Sequence, residues 1–326
     1  AQVGVLAPLL LLLLRIMQGA AIGGEAPGAW VFVTEHVSPR HRNLACGSLS
    51  AGLCAGILLG SLVARGIHAS LAPEEVLDWG WRLPFLLGGV FGLCALYLRR
   101  LLHETPVFTE LQERRELSAE LPLKNVLREH RGAVVLTMLL TWLLTAAVVV
   151  VLLMTPTLLQ GLGVERGAAL SANTLAITAT VVGNLLFGWL ADRFGAGRVL
   201  ALCSALLGIS FWMFYGAAQA GDFSPALYVL AGFGVGLTAL VPAIAVSGFP
   251  AAVRFSGLSF AYNVAYAIAG GLTPILLSVA MKGNPAAPMH YIAMMAVLGV
   301  GLGLWVEWRH RQSPSTLGHD ASSSVP

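Results

Sequence analysis

The sequence predicts an all-α polytopic membrane protein of about nine spans, and three observations predict it. Hydrophobic residues make up 57% of the 326 residues and charged residues only 11%, whereas a soluble domain carries about 25% charged residues. Apolar runs long enough to cross a bilayer, which takes about 20 residues, alternate with short polar punctuation along the whole chain. Lys and Arg are sorted between alternate connections, as they are when one set of loops stays in the cytoplasm. The spans read as 6–34, 44–67, 83–99, 133–158, 169–190, 199–217, 225–248, 256–280 and 290–307.

The sorting sets the direction. One set of connections comprises SPRHRN at 38–43, the loop 99–132, DRFGAGR at 192–198, AAVRFSG at 251–257 and the tail from Arg309; it holds 14 of the 19 Lys and Arg residues. The opposite set has Arg65, Arg82, Arg166 and Lys282, with the acidic cluster Glu74, Glu75 and Asp78. The C-terminus is therefore expected in the cytoplasm and the N-terminus outside. A net charge of +3 is too small to argue for a nucleic-acid partner; the lipid bilayer is the expected surrounding.

In the first span, Arg15 and Glu25 interrupt an almost unbroken apolar stretch, in the run LLLLLLRIMQGAAIGGEAPGAW. An ionisable side chain inside a span costs about 2.5–3.5 kcal/mol on insertion scales. A chain tolerates that where the charge faces a protein interior or a watery pathway, so the segment points to transport. The two residues stand about 15 Å apart along a helix axis at 1.5 Å per residue, so each needs a partner elsewhere. The segment is too long for a signal peptide and lacks a basic leading region. The chain opens on Ala1 inside apolar sequence, which reads as a partial chain.

Loop 99–132, with seven Lys/Arg and six Asp/Glu, divides three spans from six. The expected organisation is a partial N-terminal bundle over 1–99, a central loop over 100–132, a six-helix bundle over 133–308 and a disordered tail over 309–326. Within the loop, PLKNVLREH fits a short amphipathic helix lying on the membrane surface, and the Ser-rich tail lacks an apolar face. The two halves echo each other: Pro39, Arg42 and Gly47 in SPRHRNLACGSLSAG correspond to Pro250, Arg254 and Gly257 in FPAAVRFSGLSFAYN, and repetition across halves is a mark of secondary transporters. Cys46, Cys54, Cys94 and Cys203 lie in apolar runs without CxxC or Cys/His spacing and read as buried, reduced thiols. No P-loop supports ATP-driven transport, and the histidines show no metal-ligand spacing; neither a cofactor nor an enzymatic activity is implied.

Several motifs together resemble the major facilitator superfamily. RIMQGAAIGG at 15–24 is similar to its fourth-helix motif, an Arg followed by spaced glycines, and GWLADRFGAGR at 188–198 to the second-half copy of its signature loop. Gly188, Asp192, Arg193, Gly195 and Arg198 match; Ala196 and Gly197 depart where a basic residue belongs, which implies a weaker clamp on the neighbouring helix. GGE at 23–25, DWGWRLPFLLG at 78–88 and ETPVF at 104–108 resemble the metabolite:proton symporter group, which includes proline/betaine, shikimate, citrate and dicarboxylate transporters. The resemblance implies the major facilitator fold, with these nine spans as helices four to twelve of twelve, in a bacterial inner membrane. It implies a protein that is monomeric when full length, with a small-molecule substrate and protons as its partners. The helix-two to helix-three signature loop has no counterpart here.

Candidate residues follow. Glu25 is the expected proton-coupling residue, since a carboxyl lining a cavity can take up and release a proton, with Arg15 as its charge partner or as an anchor for an anion. The bland reading is that both only fix helix packing. Glu35, Arg40 and Arg42 at one helix end, and Asp192, Arg193 and Arg198 in the second half, are expected gating groups whose ion pairs hold the cytoplasmic side shut; simple positive-inside anchoring is the alternative. Gln18, Asn173, Tyr262, Asn263 and Tyr266 are expected substrate contacts. Tyr262 and Tyr266 share a helix face and Asn263 is turned by about 100°; Asn184 reads as polar glue between helices. The break GLTP at 271–274 is expected to interrupt or bend its helix. The function expected is proton-coupled secondary transport of a small organic acid or zwitterion by alternating access. The competing expectation is a partial chain that inserts without transporting, because helices one to three would supply one of four three-helix repeats.

Overall fold

The computed structural model describes residues 6–100 and 122–312. Among them, nine helical spans are long and apolar enough to cross a membrane. The first half consists of α1 (Leu6–His36), α2 (Arg42–Ser70), the short α3 (Pro73–Asp78) and α4 (Leu83–Arg99). The second half opens with α5 (Pro122–Glu129). Its first span joins α6 (Arg131–Ala146), a π-helical stretch (Ala147–Met154) and α7 (Thr155–Gly161). Then come α8 (Arg166–Phe194) and α9 (Ala196–Gln219). The next span is α10 (Pro225–Gly234), a 3-10 stretch (Val235–Ala239) and α11 (Leu240–Ser247), followed by α12 (Ala251–Ala280) and α13 (Ala287–Gln312).

Prolines explain the irregular spans. Pro156 has no N–H for the carbonyl of Leu152 and its ring would crowd that oxygen. The π-helical turns before it widen the helix, and Thr155 Oγ1 donates to the Val150 carbonyl at 2.8 Å. Pro242 likewise leaves the Thr238 carbonyl without a helical donor, at the 3-10 stretch between α10 and α11. At GLTP the helix is not interrupted: α12 runs from Ala251 to Ala280 with Pro274 inside it.

The second half carries the main core. Phe211, Phe214, Tyr215 and Tyr228 are fully buried, with Phe214 and Tyr228 stacked at 4.7 Å between centroids, and the Tyr228 hydroxyl donates to the Val151 carbonyl at 2.7 Å. By contrast, α4 exposes nearly every side chain and α1 exposes Leu9 to Leu14. Such apolar surface suits hydrocarbon, and helices satisfy their backbone groups internally.

The halves meet most closely where α2 crosses α8. A Cβ on Gly47 would lie 2.5 Å from the Asn184 carbonyl oxygen, and one on Gly188 would lie 2.8 Å from that of Asn43. Only glycine permits that approach, the small-residue packing seen between membrane helices. Asn184, wholly buried, accepts from Thr238 Oγ1 at 2.9 Å and approaches Cys54 Sγ with its amide nitrogen at 3.6 Å, as expected of polar glue.

Helix α5 forms as the amphipathic pattern predicts, but its apolar Val126 is fully buried against a cluster that includes Trp30, Val134 and Val253. Val126 thus packs on protein, while Leu123 and Leu127 of the same apolar face stay exposed. Helix α13 continues through Arg309 to Gln312, four residues into the stretch expected as tail. The rest of that tail, and ETPVF, fall outside the described residues. Cys46, Cys54 and Cys203 are buried free thiols, whereas Cys94 on α4 is exposed.

Candidate functional site

The basic connections converge at one end of the bundle. Pro39 and Arg42 before and in α2, Asp192 to Gly197 between α8 and α9, Ser247 and Gly248 after α11, and Trp305 to His310 of α13 surround a single cavity of about 610 Å³. Two sets of contacts tie the halves together at this end. Asp192 accepts the backbone N–H of Asn43 and of Leu44 and the Asn43 side-chain amide, each at 2.9 Å. A carboxylate on the opening N–H groups of α2 is a charge-assisted cap that also meets the positive end of the helix dipole. The second tie is an ion pair between Glu35 of α1 and Arg254 of α12, 2.8 Å between Oε1 and Nη1, with side-chain exposures of 8% and 22%.

Deeper in the bundle, α12 meets α1. The Asn263 amide donates to the Gly23 carbonyl at 2.5 Å and to its own helix at Ser259 at 2.8 Å. Pro27, inside α1, is the reason the Gly23 carbonyl lacks a helical donor. Trp30 meets Tyr262 edge to face at 4.8 Å, and Tyr262 lies 5.5 Å from Tyr266. A reciprocal bond joins Ser50 of α2 to the Thr238 carbonyl at 3.2 Å, the oxygen that Pro242 leaves free.

Two charged groups lie outside these seams. Glu25 pairs with Arg99 of α4, both side chains more than half exposed. Arg15 donates to Gln18, one turn along the same helix, at 3.0 Å. The expectation that Glu25 needs a partner beyond its own helix thus resolves within this chain, at the end of the third span. Arg15 instead is held locally, because a residue three positions away shares its face.

The Major Facilitator Superfamily profile matches residues 3–274. The chain belongs to that superfamily. It is 31% identical over 330 residues to the inner membrane metabolite transport protein YhjE of Escherichia coli, covering 95% of this chain and 73% of that one. It is 29% identical over 321 residues to the proline/betaine transporter of Salmonella typhimurium, covering 93% of this chain and 63% of that protein. Among solved structures, the proton:xylose symporter XylE superposes with a TM-score of 0.67 at 18% identity over 86% of this chain and 66% of that one. FucP in its outward conformation superposes with a TM-score of 0.60 at 13% identity, over 87% and 72%. Superfamily membership makes the chain an integral membrane protein of a transporter family rather than an enzyme.

Within this superfamily chain the expected gating residues divide. Glu35 and Asp192 bridge the halves, Glu35 to Arg254 and Asp192 to Asn43 and Leu44. Arg198 stays in the second half, bound to Glu307 at 2.6 Å, with Arg311 on the same carboxylate at 3.2 Å. Arg193 lies over the Trp189 ring at 5.7 Å, Arg40 is exposed in the 3-10 turn, and Arg42 borders the cavity. Of the expected substrate contacts, Tyr262, Asn263 and Tyr266 gather at the α1–α12 seam, while the Asn173 side-chain amide lies 2.5 Å from the buried Tyr228 hydroxyl.

Sequence reasoning missed Trp30, Asn43, Ser50 and Arg254 as contacts between halves. Arg254 was marked only as a repeat position, and the repeat itself was the available signal: it stands where Arg42 stands in the other copy. Pro27 was a second signal, since a proline inside a span frees the carbonyl four residues earlier.

Proposed function

We propose that the chain performs secondary active transport by alternating access in the bacterial inner membrane, as a monomer, with its basic end and C-terminus in the cytoplasm. Its cargo is a small zwitterion or organic acid moved together with protons. The observation that carries this reading is the closure of the basic end by Asp192 on α2 and by Glu35 with Arg254. Polar ties at a water-facing end can exchange their partners for water when the halves part, at small net free energy per bond, and so suit repeated opening. The predominance of Arg and Lys at that end supports its assignment to the cytoplasm.

A zwitterion with a substituted ammonium group suits the exposed ring of Tyr266, beside Tyr262, since aromatic faces attract cations through the ring quadrupole. The names of the curated relatives, proline/betaine transporters among them, support the same class. Glu25 is the coupling group: as a carboxylate it binds Arg99, and protonation removes the charge that holds that pair. Arg15 and Gln18 flank it on α1, and Asn173 lines the second half's side of the path.

Uptake of radiolabelled proline and glycine betaine into cells expressing the chain, with and without a proton uncoupler, tests the reading. Uptake is expected to collapse with the uncoupler and to fall by about tenfold or more in Glu25→Gln, a loss typical of a proton-transfer group. Uptake indifferent to both would remove proton coupling. An inserted chain with no uptake of any candidate would establish the non-transporting alternative.

A further inference from the structure

The cavity at the basic end has more positive charge than its internal ties use. Two carboxylates face it, Asp192 and Glu307. Asp192 spends both oxygens on the α2 cap, and Glu307 is bound by Arg198 and Arg311. Arg42 and Arg309 also line the cavity, and among the described residues neither forms an ion pair. The Arg42 Nε is buried and without a hydrogen-bond partner, which is costly for a guanidinium donor. Arg309 rests over the Trp305 ring at 5.4 Å. The two carboxylates on the lining are thus committed elsewhere, and neither is bound to Arg42 or Arg309.

Leu136, Ile244 and Trp305 supply apolar wall beside the polar Asn43 and Ser247. At about 610 Å³ the cavity lies within the range of small-molecule sites, about 300–1,000 Å³. It is built from both halves, Arg42 coming from α2 and Arg309 from α13.

We propose that this cavity is a second ligand site, distinct from the transport path, which takes a small soluble organic dianion with an apolar body, such as a phosphate monoester, between Arg42 and Arg309. Planar guanidinium groups pair with phosphate oxygens two at a time, and the apolar body covers the Leu136 and Ile244 wall. A ligand held by both halves binds the closed arrangement in preference to the open one and shifts the population towards it. That regulatory consequence rests on the reading of this end as a gate; the binding itself does not.

Phenyl phosphate is the probe, titrated calorimetrically into the purified 326-residue chain in detergent, with phenol as the uncharged control. Saturable binding of one phenyl phosphate per chain is expected, weakened about tenfold or more by Arg42→Gln and by Arg309→Gln, the loss of one charge-assisted contact each. Arg42→Lys, which keeps the charge without the planar fork, is expected to fall between. Absence of saturable binding, or equal binding by variants that elute as folded monodisperse protein, overturns the site. Loss of phenyl phosphate binding in nanodiscs containing phosphatidylglycerol would assign the cavity to a lipid headgroup and overturn the soluble ligand. A separate arm measures N-ethylmaleimide alkylation of Cys46 as the sole cysteine, buried where α2 meets α8. Saturating phenyl phosphate is expected to slow it about fivefold or more; intact binding with unchanged alkylation would defeat the gate reading and leave the site standing.

Discussion

Asn263 donates its side-chain amide to the backbone carbonyl of Gly23, an oxygen that Pro27 leaves without its helical donor. The bond explains how a polar side chain and a helix-breaking proline both persist at membrane depth: each satisfies what the other leaves open. Pro27→Ala restores an N–H four residues after Gly23, so the amide of Asn263 becomes dispensable there. Asn263→Ala should therefore destabilise the wild-type chain more than the Pro27→Ala background, with a coupling of about 1 kcal/mol, the size of one net hydrogen bond. Denaturant unfolding of the four chains in detergent measures it; additive effects would mean the bond contributes nothing.

Asp192 is expected to control opening of the basic end. Its carboxylate caps α2 from the other half, so its loss should leave the closed arrangement less favoured by about 1–2 kcal/mol, the range for a helix cap with charge. Alkylation of Cys46 in a single-cysteine background should accelerate about five- to thirtyfold in Asp192→Ala. Asp192→Asn retains an acceptor oxygen but not the charge and should fall in between. An unchanged rate in Asp192→Ala would show that the cap does not hold this end.

The pair between Glu35 and Arg254 differs in kind, because both side chains are largely withdrawn from solvent. Removing Arg254 takes a charge-assisted hydrogen bond out of a largely buried site, worth about 1.5–3 kcal/mol. Arg254→Leu should therefore lower thermal stability more than Arg193→Leu, whose guanidinium lies against an exposed Trp189 ring. The exchanged chain carrying Glu35→Arg with Arg254→Glu should recover part of the loss. Equal melting temperatures for Arg254→Leu and Arg193→Leu would contradict a structural role for the pair.

The sequence carried the spans and their order because hydropathy and charge sorting are local and strong. The site was most legible where one residue's chemistry decides its neighbourhood: Asp192, in a loop matching a signature, accepts the opening N–H groups of α2. It was less informative where the partner is chosen by packing. Nothing local pairs Arg254 with Glu35 across 219 positions, and the apolar face of α5 reads the same whether it covers lipid or Trp30. GLTP does not end α12, because a proline inside a long membrane helix can be carried when neighbours and local adjustment satisfy the freed backbone.

The crossing of α2 and α8 offers a control within one helix. On Gly47 an added Cβ would stand 2.5 Å from the Asn184 carbonyl oxygen, while on Gly52 it would meet nothing within 4 Å. Gly47→Ala must push the helices apart or shift backbone, and overpacking of this kind costs about 1–3 kcal/mol. Gly52→Ala adds helix propensity without a clash and should be neutral or stabilising by up to about 1 kcal/mol. The displacement in Gly47→Ala should also reach Asn43 and Leu44, one turn away, and lengthen their bonds to Asp192. It should then quicken Cys46 alkylation, an effect absent in Gly52→Ala. Lower stability in Gly47→Ala without faster alkylation would separate the packing of this crossing from the closure of the basic end.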